Sequence, residues 1–204
     1  MKKAVLVLAL ITIVQGSSMA LAQEKKLTFH AAGGASAPLS NQTFRDAFSV
    51  GANGSIGIDV RVSPKLVVGP ELGYSAFALD RKGFLKLNEV EDSDDIKIKG
   101  GELSVAEILG VAKFHLNTVE VNTSFYLVAG AGLSASRIAK MEIETPEGDF
   151  EIDEESNSDL MAIGGVGLQH KFGEKWNTYV EVRYTKIFTD ESYSYLPVRV
   201  GVKF

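Results

Sequence analysis

The feature that most constrains this chain is a two-residue period of apolar against small or polar side chains, sustained over most of its length. It is clearest from Phe48 to Val62. Phe48, Val50, Ala52, Gly54, Ile56, Ile58, Val60 and Val62 fall on one face, and Ser49, Gly51, Asn53, Ser55, Gly57, Asp59 and Arg61 on the other. Side chains alternate across a strand but recur every 3.6 residues on a helix, so this stretch is a long half-apolar strand. The same reading places eight strands, near residues 27–37, 47–62, 66–79, 101–116, 121–138, 159–172, 177–188 and 194–204, with no sustained helical period between them. The links after the second, fourth and sixth strands are short (63–65, 117–120 and 173–176), whereas those after the odd-numbered strands are longer. Short turns at one end and long loops at the other, on an even number of strands, describe an up-and-down transmembrane barrel. The expected fold class is all-β, an eight-stranded antiparallel up-and-down transmembrane β-barrel.

The N-terminus reads as an export signal. Lys2 and Lys3 precede the run Ala4–Val14, 11 residues that are apolar except for Thr12, and Ala20-Leu21-Ala22 supplies a small-residue cleavage pattern before Gln23. A positive segment, a short apolar segment and an A-x-A site in that order mark a secretory signal peptide, too short to span a bilayer. The expected division is therefore a leader at 1–22 and a barrel domain at 23–204. The leader carries two lysines and no acid, so the remainder sets 19 basic residues against 26 acidic ones. An acidic chain without a basic stripe argues against a nucleic-acid partner. Without cysteine, disulfides and thiolate chemistry are excluded. Past residue 22 no apolar run approaches a transmembrane helix, so membrane residence requires a closed barrel, in which every backbone group is paired.

Alternation alone does not separate a membrane barrel from a soluble sandwich. The small-polar face does. Asn122, Ser124, Tyr126, Val128, Gly130, Gly132 and Ser134 share one face, as do Met161, Ile163, Gly165, Gly167, Gln169 and Lys171. Glycine weakens strands exposed to water but suits the crowded interior of an eight-stranded barrel. That face is therefore expected inside, with Phe125, Leu127, Leu133, Leu160, Val166 and Leu168 toward lipid. Two aromatic girdles are expected at the lipid–water boundaries: Phe29, Phe114, Phe125, Phe172, Trp176 and Phe204 at the short-turn end, and Phe48, Tyr74, Phe77, Tyr184, Phe188, Tyr193 and Tyr195 toward the long-loop end. The inward face also collects charges of both signs: Asp59, Arg61, Glu71, Glu107, Lys113, Glu181, Arg183, Arg199 and Lys203. Buried charges persist when paired, so an ionic network filling the barrel is expected, either as a structural polar core or as a gate or proton path.

The terminal stretch 196–204 alternates and ends on Phe204, which resembles the closing strand of outer-membrane proteins. In that group the terminal aromatic residue is part of the signal read by the barrel assembly machinery. The opening 26–34 and the Gly-rich stretch 127–133 resemble the small OmpA/OmpX-like outer-membrane barrel family. The resemblance covers residues 23–204. It implies an outer-membrane location, contact with membrane lipid and lipopolysaccharide, and roles ranging from adhesion to narrow pores. A periplasmic peptidoglycan-binding domain of the kind found in full OmpA is not expected, so cell-wall anchoring is not implied.

Chemistry-bearing motifs are few. Residues 130–135 match G-x-G-x-x-[GA], but that fingerprint needs a following helix and the stretch stays strand-like, so a glycine-lined strand is expected. His30, His115 and His170 stand in no H-x-S pairing, and hydrolysis needs a nucleophile held beside a base. No catalytic residue, cofactor or metal site is assigned.

The long loops are the remaining candidates. Residues 140–156 alternate Met141, Ile143, Phe150 and Ile152 with acids around a turn at 145–149, which predicts that two barrel strands continue outward as a protruding hairpin. Its acids are Glu142, Glu144, Glu147, Asp149, Glu151, Asp153, Glu154 and Glu155; Asp159 follows, and no Lys or Arg interrupts them. A second acidic loop runs from Glu89 to Asp95. Such acids either solvate a loop or bind Ca²⁺ weakly, although EF-hand spacing is absent. The leading expectation is a non-enzymatic envelope barrel that presents these loops to an extracellular ligand or host protein. The alternatives are a narrow passive channel and a soluble lipocalin-like binder.

Overall fold

The computed structural model describes residues 27–204, apart from 41, 91, 93–95, 120, 147 and 174–175. The leader read at 1–22 lies outside them, as do Glu147 and part of the acidic loop 89–95. In chain order the described elements are β1 (Leu27–Pro38), α1 (Gln42–Ala47), β2 (Gly51–Arg61), β3 (Leu66–Phe77), α2 (Arg81–Leu87), β4 (Lys97–Gly100), β5 (Leu103–His115), β6 (Thr123–Ile138), β7 (Met141–Thr145), β8 (Gly148–Ile152), β9 (Glu155–Phe172), β10 (Trp176–Phe188) and β11 (Tyr193–Lys203).

Eight of these strands close on themselves in the order β1-β11-β10-β9-β6-β5-β3-β2, every neighbour antiparallel. Closure removes the edges that lipid would leave unsatisfied. The seam is β1 against β11, with His30 opposite Lys203 and Gly34 opposite Arg199. Phe204 finishes it: Phe29 and Phe204 exchange two backbone hydrogen bonds of 2.9 Å each. Among the described residues, no helix is long and apolar enough to cross a membrane.

The expected faces are found where alternation puts them. Phe125, Leu127, Leu133, Leu160 and Val166 are exposed on the outer wall, while Ser124, Tyr126, Val128, Ser134, Met161, Ile163 and Gln169 are buried inside. Lys171, read as inward, is exposed at the end of β9. Inward glycines make room for neighbouring side chains. A Cβ on Gly167 would lie 2.2 Å from the Tyr126 ring, and one on Gly201 2.3 Å from the Tyr179 ring. Two bulky rings therefore fit in the lumen because a glycine faces each of them.

The short-turn girdle forms as read: Phe29, Phe114, Phe125, Phe172, Trp176 and Phe204 are all exposed, and the Phe204 ring lies between Phe29 (6.3 Å) and Trp176 (5.4 Å). The long-loop girdle needs correction. Tyr74, Tyr184 and Phe188 are exposed on the wall, but Phe77 and Tyr195 are buried within the lumen. Parity explains it, since Phe77 shares its face with Glu71 and Ser75, and Tyr195 shares its face with Arg199 and Lys203. Phe48 and Tyr193 also pack inward, against the same cluster as Phe44.

That cluster is a stopper to which helix α1 contributes, with helix α2 packed on α1, and neither helix is announced by a 3.6-residue period in the sequence. Helix α1 carries Phe44, whose ring lies 5.5 Å from Phe77, 5.0 Å from Tyr193 and 5.6 Å from Phe48. Helix α2 is capped by Asp80, which accepts from the amides of Lys82 (3.1 Å) and Gly83 (3.2 Å). The helices cross so closely at Gly83 that a Cβ there would meet the Asp46 carbonyl at 1.7 Å. At six and seven residues, neither helix is long enough to show a period in sequence.

Candidate functional site: the charged lumen and the external sheet

Below the aromatic stopper the lumen holds eight buried charges, four carboxylates (Asp59, Glu71, Glu107, Glu181) and four cations (Lys113, Arg183, Arg199, Lys203). Arg61, the ninth inward charge read from sequence, is half-buried. The set is balanced in number, and all of its members except Glu107 meet in ion pairs. Arg183 donates to both oxygens of Glu71, at 2.8 and 2.9 Å, and also to Glu181. Arg199 donates to Glu71 (2.8 Å), Glu181 (3.0 Å) and the Ser55 hydroxyl (2.8 Å). Asp59 is shared by Lys113 and Lys203, each at 2.9 Å, and His30 bridges the two groups, 3.4 Å from Asp59 and 3.3 Å from Glu71. Tyr126 donates to Glu181 at 2.9 Å, and Lys203 lies over both the Tyr126 and Tyr179 rings.

Two of these contacts run across the full diameter. In the ring of eight, β3 stands opposite β10 and β5 opposite β11. Glu71 on β3 meets Arg183 on β10, and Glu107 on β5 accepts from the Tyr195 hydroxyl on β11. Seven of the eight charges thus have an oppositely charged partner, and Glu107 is held instead by the hydroxyls of Tyr195 and Ser75, so every one is bonded, the condition under which buried ions are tolerated. Their side chains occupy the axis.

The histidines lie in three different settings. His30 belongs to the lattice just described. His170 is outside, where Nδ1 and the Thr123 hydroxyl lie 2.8 Å apart. The strand pairing brings His115 and Ser124 together at 2.9 Å, a serine–histidine contact that no sequence motif announced. Both are buried, His115 packs against the Tyr126 ring at 5.1 Å, and its Nε2 has no hydrogen-bond partner. A hydrolytic pair needs substrate access, and both members of this contact are buried. Among the described residues no three His, Asp or Glu side chains are grouped to hold a metal ion.

The acidic hairpin is present as β7 and β8, but it does not simply prolong the barrel strands. Residues 139–140 and 153–154 separate it from β6 and β9, and β4 from the preceding long loop joins it to make a three-stranded sheet in the order β4-β7-β8. Sequence reading missed β4. Gly100 and Gly101 both have positive φ, +80° and +77°, which turns the chain sharply between β4 and β5. One face of the small sheet is apolar, with Ile98 opposite Ile143, Ile143 opposite Phe150 and Met141 opposite Ile152. The other is charged. Lys99 donates to Glu144, Lys140 reaches Glu151 at 3.0 Å, and at the hairpin's base Arg137 pairs with Glu154. Asp149, Glu151, Asp153 and Glu155 are exposed. The contact with Lys99 holds the Glu144 carboxyl below its ordinary range, and Glu144 raises Lys99 in return.

A closed eight-stranded barrel with an aromatic-banded apolar wall, a charge-paired interior and elaborated loops at one end is a small transmembrane barrel of the outer-membrane class. The sequence agrees: residues 6–204 match the family described as "Outer membrane protein beta-barrel domain", and the chain belongs to that family. Solved structures that share the fold include two small outer-membrane proteins. Neisserial surface protein A is 14% identical, with 87% of this chain and 95% of that one covered at a TM-score of 0.53. A major outer membrane protein from Thermus thermophilus is 11% identical, with 88% and 99% covered at 0.55. No curated protein matches the chain.

Proposed function

We propose that the protein is a non-conducting, non-enzymatic outer-membrane barrel whose task is to stand in the envelope and present the β4-β7-β8 sheet outside the cell. The observation that carries this reading is the pair of bonds across the lumen, Glu71–Arg183 and Glu107–Tyr195. A balanced lattice offers a passing ion no net attraction, and the stopper of Phe44, Phe48, Phe77 and Tyr195 covers it. With the interior committed to packing, the chemistry left for recognition is on the long-loop side. Residues 1–22 serve as the export leader, Phe204 as the terminal signal read during assembly, and the exposed wall meets lipid and lipopolysaccharide.

The test uses the absence of native cysteine. Phe150→Cys on β8 and Asn117→Cys in a short turn are expressed separately, and intact cells are treated with a membrane-impermeant maleimide. Labelling at 150 but not at 117 is expected. Labelling at 117 alone would invert the topology and remove the presentation role.

A further inference from the structure

The sheet β4-β7-β8 has one edge filled by the chain itself and one edge open. On the filled edge, β4 presents Lys97-Ile98-Lys99 to β7, with Lys97 in register with Glu144, Ile98 with Ile143 and Lys99 with Glu142. A basic–apolar–basic strand thus docks on an acidic–apolar–acidic one, and Lys99 closes the charged side by donating to Glu144. On the open edge, β8 repeats the acceptor pattern: Asp149, Phe150 and Glu151 follow the same acidic–apolar–acidic order. All five residues of β8 are exposed, Phe150 at 58% and Ile152 at 48%. No further strand of the sheet flanks β8 among the described residues. Alternate residues of an edge strand direct their N–H and C=O groups outward, where an added strand can bond them.

Resting on the presentation role, we propose that β8 is a docking edge for an extended partner segment of alternating basic and apolar residues, added as a fourth strand. Backbone bonds to 148–152 supply the attachment. Phe150 and Ile152 continue the apolar face under the partner's apolar side chains, and Asp149 and Glu151 select Lys or Arg on the opposite side. The β7–β8 ladder already sets Glu142 opposite Glu151 and Glu144 opposite Asp149, so a basic strand on the open edge relieves that crowding of like charge, whereas a second copy of β8 adds to it. Lys140 already answers Glu151, which leaves Asp149 as the more discriminating carboxylate.

The probe is a fluorescent, end-blocked peptide of alternating lysine and isoleucine, seven residues long, titrated by anisotropy into the refolded full barrel in detergent. The comparison peptides replace lysine by glutamate, or place proline at the centre to remove a backbone donor. Saturable binding of the lysine peptide is expected, weakened at least tenfold by the proline and absent with the glutamate peptide. Asp149→Lys should reverse the preference between lysine and glutamate peptides while the heat-dependent gel shift stays intact. Equal binding of the lysine and proline peptides means plain charge attraction and overturns strand addition. No binding to a folded barrel overturns it too, and a concentration-dependent dimer blocked by Phe150→Pro would assign the edge to a second copy instead. The labelling of Phe150→Cys on cells separates these failures from a failure of presentation, which alone abolishes labelling.

Discussion

Arg183 holds two carboxylates at once, Glu71 through both terminal nitrogens and Glu181 through Nε, in a place closed to water. Removing one partner of a buried pair leaves the other charge uncompensated, at a cost of about 3–5 kcal/mol. Arg183→Ala should therefore lower the stability of the folded barrel by about that amount, read from urea unfolding in micelles. A loss below about 1 kcal/mol would mean that water replaces the guanidinium and that the lattice is not closed. The inward charges were legible because parity is a local property: Asp59, Glu71, Arg183 and Arg199 each lie on the small-residue face of their strand. Their pairing was not legible. Glu71 and Arg183 are 112 residues apart and meet only because the ring places β3 opposite β10. Parity also places Phe77 and Tyr195 inside, whereas counting from strand ends puts them in a girdle, and it is parity that reports where a side chain points.

Strand β4 was hidden because its four residues are fewer than alternation needs to stand out and because two glycines cut it from β5. Its attachment has a pH signature. Glu144, with its folded value lowered by Lys99, supports the pairing at pH above its free value and loses that support as pH falls through the lowered value. Lys99, raised by Glu144, supports it below its free value and loses it as pH rises through the raised one. The Ile98–Ile143 contact should therefore be strongest between about pH 5 and pH 10, and NMR cross-peaks between the two side chains should weaken beyond either limit. Because both charges are exposed, added salt should weaken the contact within that window as well. Cross-peaks that stay constant from acid to alkaline pH would show that β4 is held by its backbone and by Ile98 alone. The helices α1 and α2 were unreadable for a related reason. What fixes them is the distant packing of Phe44 on Phe77 and the close crossing at Gly83, neither of which leaves a periodic trace.

At the scale of the whole molecule, the lumen is packed by two unlike sets of side chains that overlap at Leu109, Val111, Tyr126 and Val128. A charged lattice occupies the half near the short turns, and an apolar stopper of Phe44, Phe77, Leu103, Val105, Met161, Ile187 and Tyr195 occupies the half near the long loops. The two sets meet at the Tyr195–Glu107 hydrogen bond. A barrel of eight strands is just wide enough for side chains to fill, and this one places bonds across its full width. Among the described elements, the two helices and the small sheet on the long-loop side are those not used in closing the ring, and the proposed recognition role falls to that sheet. The most direct test of this account is planar-bilayer conductance of the refolded barrel, once its heat-dependent gel shift shows that it is folded. Silence under applied voltage is the predicted result, while reproducible ion-selective steps that change when Glu107 or Arg183 is neutralised would contradict the closed lumen and make the protein a channel.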